Sequence, residues 1–154
     1  MNSETLRILD SIARVSGVEI AFLAHFGPLA PPWQRGDVVM HEAVAARMTQ
    51  PTRTEPTSTA AEAARLARSA SMVVTSRYHP AVFAGPSGVA TLGIAVDDYT
   101  TVKLSGALAA FGQAGVVAAA DLADAPQLAE RLWGARHEIR VRGQVIATER
   151  RAES

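Results

Sequence analysis

The chain has 154 residues, nearly half of them hydrophobic, with a formal net charge of zero and no cysteine. That length and composition suit one domain with a sizeable core. They exclude disulfides and cysteine-based zinc sites, and the even charge leaves no footprint for a nucleic-acid or acidic-membrane partner.

The chain order of elements begins with an amphipathic helix over residues 3–16, where Leu6, Leu9, Ile12 and Ala13 recur at helical spacing and Gly17 supplies a stop. Glu4, Arg7 and Asp10 interrupt this segment, so it lacks the apolar region of a signal peptide. No apolar run approaches the ~20 residues of a membrane helix, and the expectation is a cytoplasmic protein without a membrane span. Val18 to Phe26 reads as a buried strand, Gly27 to Gly36 with its prolines as a loop, and Asp37 as the cap of a helix carrying Val38, Val39, Ala43 and Ala46. Thr49 to Ser58 is a Thr/Pro-rich connection with a short extended piece near Arg53. Thr59-Ala-Ala-Glu62 fits a capping box opening a helix to about Ser69.

Met72 to Val74 is a short buried strand, followed at once by an Ala/Val/Phe helix and a turn at Pro86-Ser-Gly88. Val89 to Val96 is a further apolar strand, and Asp98 can cap a helix from Tyr99 to Phe111 that Gly112 ends. Gly115 to Ala119 is a weak strand. Asp124-Ala-Pro-Gln127 starts another helical stretch, broken near Gly134 and fraying after about Arg150. Continuous apolar strands alternating with helices predict one Rossmann-like α/β domain over residues 1–150, three-layered with a mostly parallel sheet, and a tail over 151–154.

Arg77 and His79 stand at the junction between the strand at Met72 and its helix. In open parallel sheets ligands bind at the carboxyl ends of strands, where the next helix N-terminus offers unpaired N–H groups. Arginine adds a planar fork that fits phosphate or carboxylate, and histidine exchanges a proton near neutral pH. The junction is therefore a candidate anion site with acid/base capability.

The order of these motifs resembles the C-terminal half of the polysaccharide pyruvyl transferase family. The resemblance rests on the capped helix Thr59 to Ser69, the strand closing on Arg77-Tyr78-His79, Phe83-Ala84, the segment Gly88 to Gly93, the acidic loop Asp97-Asp98-Tyr99 and Lys103, the only lysine. It implies half of a two-domain fold like that of B-type glycosyltransferases, with phosphoenolpyruvate as donor substrate, no separate cofactor, and a sugar of a cell-surface or exopolysaccharide as acceptor. It also implies that Arg77 and His79 contact phosphoenolpyruvate. The family's Gly-Asn/Asp-rich opening motif does not occur here, so the expectation is a half-site, inactive alone, either truncated or split from its other half or given it by a partner polypeptide, with a homo-oligomer as a further alternative. Pro80 stands where the family favours helix formers and is expected to start the helix just after His79.

Ketal formation requires an anion holder, a proton donor to the donor's methylene carbon, and a base for the sugar hydroxyl. Arg77 suits the first task, and His79 the second or a hydrogen bond to the phosphate, with Tyr78, Lys103 and Asp97 as further substrate contacts. Each also has a structural reading: a strand-end ion pair for Arg77, a cap or packed ring for His79, packing for Tyr78, a solvated surface charge for Lys103, and capping for Asp98 beside Asp97. His25 ends a strand and reads as structural first; His41 and His137 read as surface residues. No His/Asp/Glu set has metal-ligand spacing, and Gly-x-Gly-x-x-Gly, P-loop and Gly-x-Ser-x-Gly motifs are absent. The rival readings are a nucleotide-sugar half-domain, with Glu130 or Glu138 on the ribose, and a non-catalytic remnant acting through association.

Overall fold

The computed structural model describes residues 3–24 and 36–154, an α/β chain with parallel strands. Among the described residues the strands form two parallel sheets where the sequence predicts one, and the chain divides into two compact units, Met1–Ala63 and Ala64–Ser154.

In the first unit, α1 (Ser3–Ser16) buries Leu6, Ile8, Leu9, Ile12 and Ala13 along one face. It ends as expected at Gly17, whose N–H donates to the Ala13 carbonyl at 2.9 Å. β1 (Ile20–Ala24) pairs in parallel with β2 (Thr52–Pro56), Ile20 opposite Thr52 and Ala24 opposite Pro56. β2 is the extended piece near Arg53. Its sequence Thr-Arg-Thr-Glu-Pro explains why it does not join a larger sheet: charged side chains and a proline suit an edge strand. Arg53 pairs with Glu55 on the same strand and with Glu19, which stands just before β1. The buried Thr57 closes the unit by donating both its N–H and its hydroxyl to the Ala24 carbonyl.

Between the strands, α2 (Asp37–Ala45) begins with Gly36 at the cap position and Asp37 as its first helical residue, not as its cap. A carboxylate in the first turn still complements the helix dipole. His41, expected at the surface, is half-buried and stacks on Phe22 at 5.0 Å between ring centroids.

The capping box forms in part at α3 (Ala60–Ser69). Glu62 donates its N–H to the Thr59 hydroxyl at 3.1 Å, but its carboxylate reaches back one residue further, to the N–H and hydroxyl of Ser58.

The second unit is built on β3 (Met72–Thr75), β4 (Ala90–Ala95) and β5 (Val116–Ala118), paired in parallel in the order β3-β4-β5. α4 (Tyr78–Ala84) and a 3-10 turn at Gly85–Ser87 link the first two strands, and α5 (Asp98–Ala109) links β4 to β5. α6 (Ala125–Gly134) and α7 (Arg136–Glu153) follow, with the break near Gly134. α7 runs past Arg150, where fraying was expected. Ala147 is buried near its end, and Arg150 lies 5.4 Å from the Phe111 ring centroid. Arginines in a last turn also complement the dipole.

β4 is the central strand, and Ala90 to Gly93 and Ala95 are buried. One small-residue core cluster gathers Ala67, Val73, Ala84 and Val89; another gathers Ala81, Ala95, Leu104 and Leu108. β5 meets β4 only from Gly93 onward, which leaves the beginning of β4 short of a partner. The carboxamide of Gln113 takes that place: its oxygen accepts the Thr91 N–H and its nitrogen donates to the Val89 carbonyl, each at 3.0 Å. Gln113 is delivered there by the helix end before it. Gly112, at φ 73°, donates to the Ala109 carbonyl and Gln113 to that of Leu108, the paired bonds of a Schellman stop.

α7 docks through glycine. A Cβ at Gly143 would lie 2.6 Å from the Gly88 Cα, and one at Gly88 would lie 2.4 Å from the Arg140 carbonyl oxygen. Backbone stands against backbone, so neither neighbour can move aside cheaply.

Gly143→Ala is expected to lower the unfolding free energy by about 1–3 kcal/mol in urea titration. Gly134→Ala, where the added methyl meets nothing within 4 Å, should stay within about 0.5 kcal/mol of the parent. Gln113→Leu orphans the buried Thr91 N–H and should cost about 1–3 kcal/mol in the same assay, while Val89 keeps the Thr91 hydroxyl as a donor.

Candidate functional site

The carboxyl ends of β3 and β4 lie side by side because the strands pair in parallel, Thr75 opposite Gly93. The segments that follow them therefore emerge at one sheet edge. After β3 the chain bends through Ser76, and the Thr75 hydroxyl holds the bend. It accepts the Arg77 N–H at 2.9 Å and donates to the Arg77 carbonyl at 3.1 Å. Arg77 is extended (φ −112°, ψ 145°) and is the last residue before α4.

α4 starts at Tyr78, earlier than expected, with His79 and Pro80 inside its first turn. Proline is tolerated there because first-turn N–H groups have no intrahelical acceptor. Pro80 is buried, whereas Tyr78 and His79 are exposed. With Pro80 lacking an N–H and the Arg77 N–H committed to Thr75, the N–H groups of Tyr78 and His79 are the first-turn donors nearest Arg77. The His79 ring meets Tyr78 edge-on at 5.7 Å and Phe83 at 6.2 Å, which ties it to the packed side of α4.

After β4, Asp97 and not Asp98 caps α5. Its carboxylate accepts the Thr100 N–H at 2.7 Å, and its carbonyl accepts the N–H and hydroxyl of Thr101. These Thr100 hydrogen bonds hold the Asp97 carboxyl below its ordinary range. Asp98 is an exposed first-turn residue.

Lys103 lies one turn further along α5. Its ammonium stands 4.6 Å from the Tyr99 ring centroid and 5.3 Å from that of Tyr78, so it joins the start of α4 to the start of α5. Its pKa is raised, first by a hydrogen bond with Tyr99 and then by the charge interaction with the two tyrosines, against some desolvation. Lys103 is therefore a full cation at neutral pH. Tyr99 lies outside the site residues predicted from the sequence. Its signal was the i, i+4 spacing to Lys103, which puts both on one helix face.

Arg77, Tyr78, His79, Asp97 and Lys103 are all exposed at this edge. The contacts join Tyr78 with His79 and Lys103; Asp97 turns inward to its helix. Open surface concavities at Leu6, Met40 and Val44, and at His137, Glu138 and Val141, contain none of these residues. Glu130 and Glu138 are exposed on α6 and α7, and His137 is exposed beside Glu138. His25 lies outside the described residues. Among the described residues no group of three His, Asp or Glu is placed to hold a metal ion, and no helix is long and apolar enough to cross a membrane.

No family model matches the chain, and neither does a curated protein or a solved structure.

The edge thus presents a permanent guanidinium, an imidazole and a fixed ammonium around exposed aromatic surface. Such a set can hold a small anion with more than one charged group and can exchange a proton with it.

Asp97→Ala is expected to lower the melting temperature at pH 7 by roughly 2–4 °C. A lowered folded-state pKa adds stability above the unfolded value of about 3.9, and that stability is lost as pH falls through the folded value. The gap between parent and variant in thermal melts should therefore close as pH drops below about 4.

Proposed function

We propose that this chain is the donor-binding half of a polysaccharide pyruvyl transferase-like protein, a Rossmann-like domain of the kind that forms one side of a two-domain cleft. The ordered motifs from Thr59 to Gly112 support the family reading. The observation that carries it to a site is the shared carboxyl edge of β3 and β4, where Arg77, His79 and Lys103 are all exposed.

In this reading phosphoenolpyruvate lies across the edge. Arg77 grips one of its anionic groups as a planar fork, helped by the N–H groups of Tyr78 and His79. Lys103 faces the other anionic group. Imidazolium His79 delivers its proton to the methylene carbon, so the double-bond electron pair becomes the new C–H bond. Positive charge then develops on the neighbouring carbon, which bears the phosphate oxygen. A sugar hydroxyl oxygen attacks that carbon and gives up its proton to a base. The C–O bond to the phosphate then breaks, the oxygen of a second sugar hydroxyl bonds to the same carbon to close the ketal, and inorganic phosphate leaves carrying that hydroxyl's proton. α4 has only seven residues, so its dipole is small and most of the anion's stabilisation falls to the side-chain cations.

Calorimetric titration with phosphoenolpyruvate tests this. Saturable binding is expected, stronger than for UDP or inorganic phosphate. Arg77→Ala should weaken it about tenfold or more, the worth of a charge-assisted pair. A response to inorganic phosphate or UDP equal to that for phosphoenolpyruvate, or indifference to Arg77→Ala, would remove the donor assignment.

A further inference from the structure

An exposed lysine is ordinarily a poor anchor, because four rotatable bonds must be frozen before it holds anything. Lys103 departs from that. Its ammonium is held at 4.6 Å from the Tyr99 ring and 5.3 Å from the Tyr78 ring, and the two tyrosines come from different helices. Tyr78 is the first residue of α4 and Tyr99 lies in the first turn of α5, so both are set by the register of β3 against β4. Tyr99 is 67% exposed, so burial in the core is not what explains it.

We propose that Tyr78 and Tyr99 are positioning residues that hold Lys103 as a pre-set second cation, so that the edge selects small ligands bearing two anionic groups, one for Arg77 and one for Lys103. This rests on the donor reading and deepens it, since it assigns the discrimination between phosphoenolpyruvate and singly anchored phosphates to the tyrosine pair. The ammonium keeps its rings when the ligand arrives. A cation lying against an aromatic face still presents donors on its opposite side.

Because Lys103 is the only lysine of the chain, the 154-residue chain grown with lysine labelled by carbon-13 at Cε gives a single lysine resonance. This signal is followed through a phosphoenolpyruvate titration in the parent, Tyr99→Phe and Tyr99→Leu, with calorimetry on the same samples and inorganic phosphate as the singly anchored probe. In the parent the signal should move saturably with the calorimetric midpoint. Tyr99→Leu should weaken phosphoenolpyruvate binding about two- to fivefold, the worth of an exposed cation–π contact, while inorganic phosphate is unaffected. Its Lys103 should also titrate at lower pH than in the parent, and Tyr99→Phe, which keeps the ring, should recover most of the affinity. A fold defect would weaken both probes alike, and that result overturns the inference. So does Arg77-dependent binding of phosphoenolpyruvate with an unmoved Lys103 signal, which leaves the donor reading standing. Absence of any phosphoenolpyruvate binding overturns both.

Discussion

A strand buried on both faces survives only if its peptide groups are paired along both edges, and β4 is such a strand. β3 pairs one edge over Ala90 to Gly93. β5 is three residues long and covers only the carboxyl-terminal part of the other. Gln113 completes that edge with a side-chain amide, whose donor and acceptor imitate the peptide that a longer β5 would have brought. An unpaired buried peptide group costs about as much as several exposed contacts provide, so this one side chain decides whether the amino end of β4 is tolerable.

The rest of the second unit follows from that strand. The Schellman stop at Gly112 aims Gln113, and the glycine contact between α7 and the turn at Gly88 holds the turn that feeds Val89 into β4. With β4 fixed, its parallel register with β3 dictates where both strands end. Their successors, α4 and α5, therefore begin as neighbours. The close approach of Tyr78, Lys103 and Tyr99 is a consequence of this register, as is the exposure of Arg77 and His79 at the same edge.

The same geometry divides the polar residues of the edge into two kinds. Thr75 and Asp97 spend their hydrogen bonds on their own backbone, where they stop a strand and start a helix. Lys103 and His79 instead lie against aromatic rings, Lys103 against Tyr78 and Tyr99 and His79 against Tyr78 and Phe83.

Local chemistry was legible in the residues themselves. Hydrophobic spacing located α1, α3 and the apolar strands β1, β3 and β4, and glycines marked the ends of α1, α5 and α6. The strand-to-helix junction at Arg77 stood out because few residues interrupt so abrupt a change of pattern. Finer placement depended on competition between neighbours that the pattern does not resolve. Two adjacent aspartates can each cap α5, and only the path of the chain leaving β4 selects Asp97. Pro80 is compatible with several positions in a first turn, and the packing of α4 selects the one in which Tyr78 begins it. The polar β2 is silent to a search for apolar runs, and its separate sheet with β1 follows from which strands meet. Gln113 carries no local signal of its role, because it acts on a strand twenty-two residues earlier that folding brings beside it; the spacing of Tyr99 and Lys103 is local, but the second ring on that lysine, Tyr78, comes from another helix. Periodicity and capping depend on neighbours in sequence, and so the elements could be read from the chain; hydrogen-bond completion and ring–cation contact depend on neighbours in space, and so the edge that they build could not.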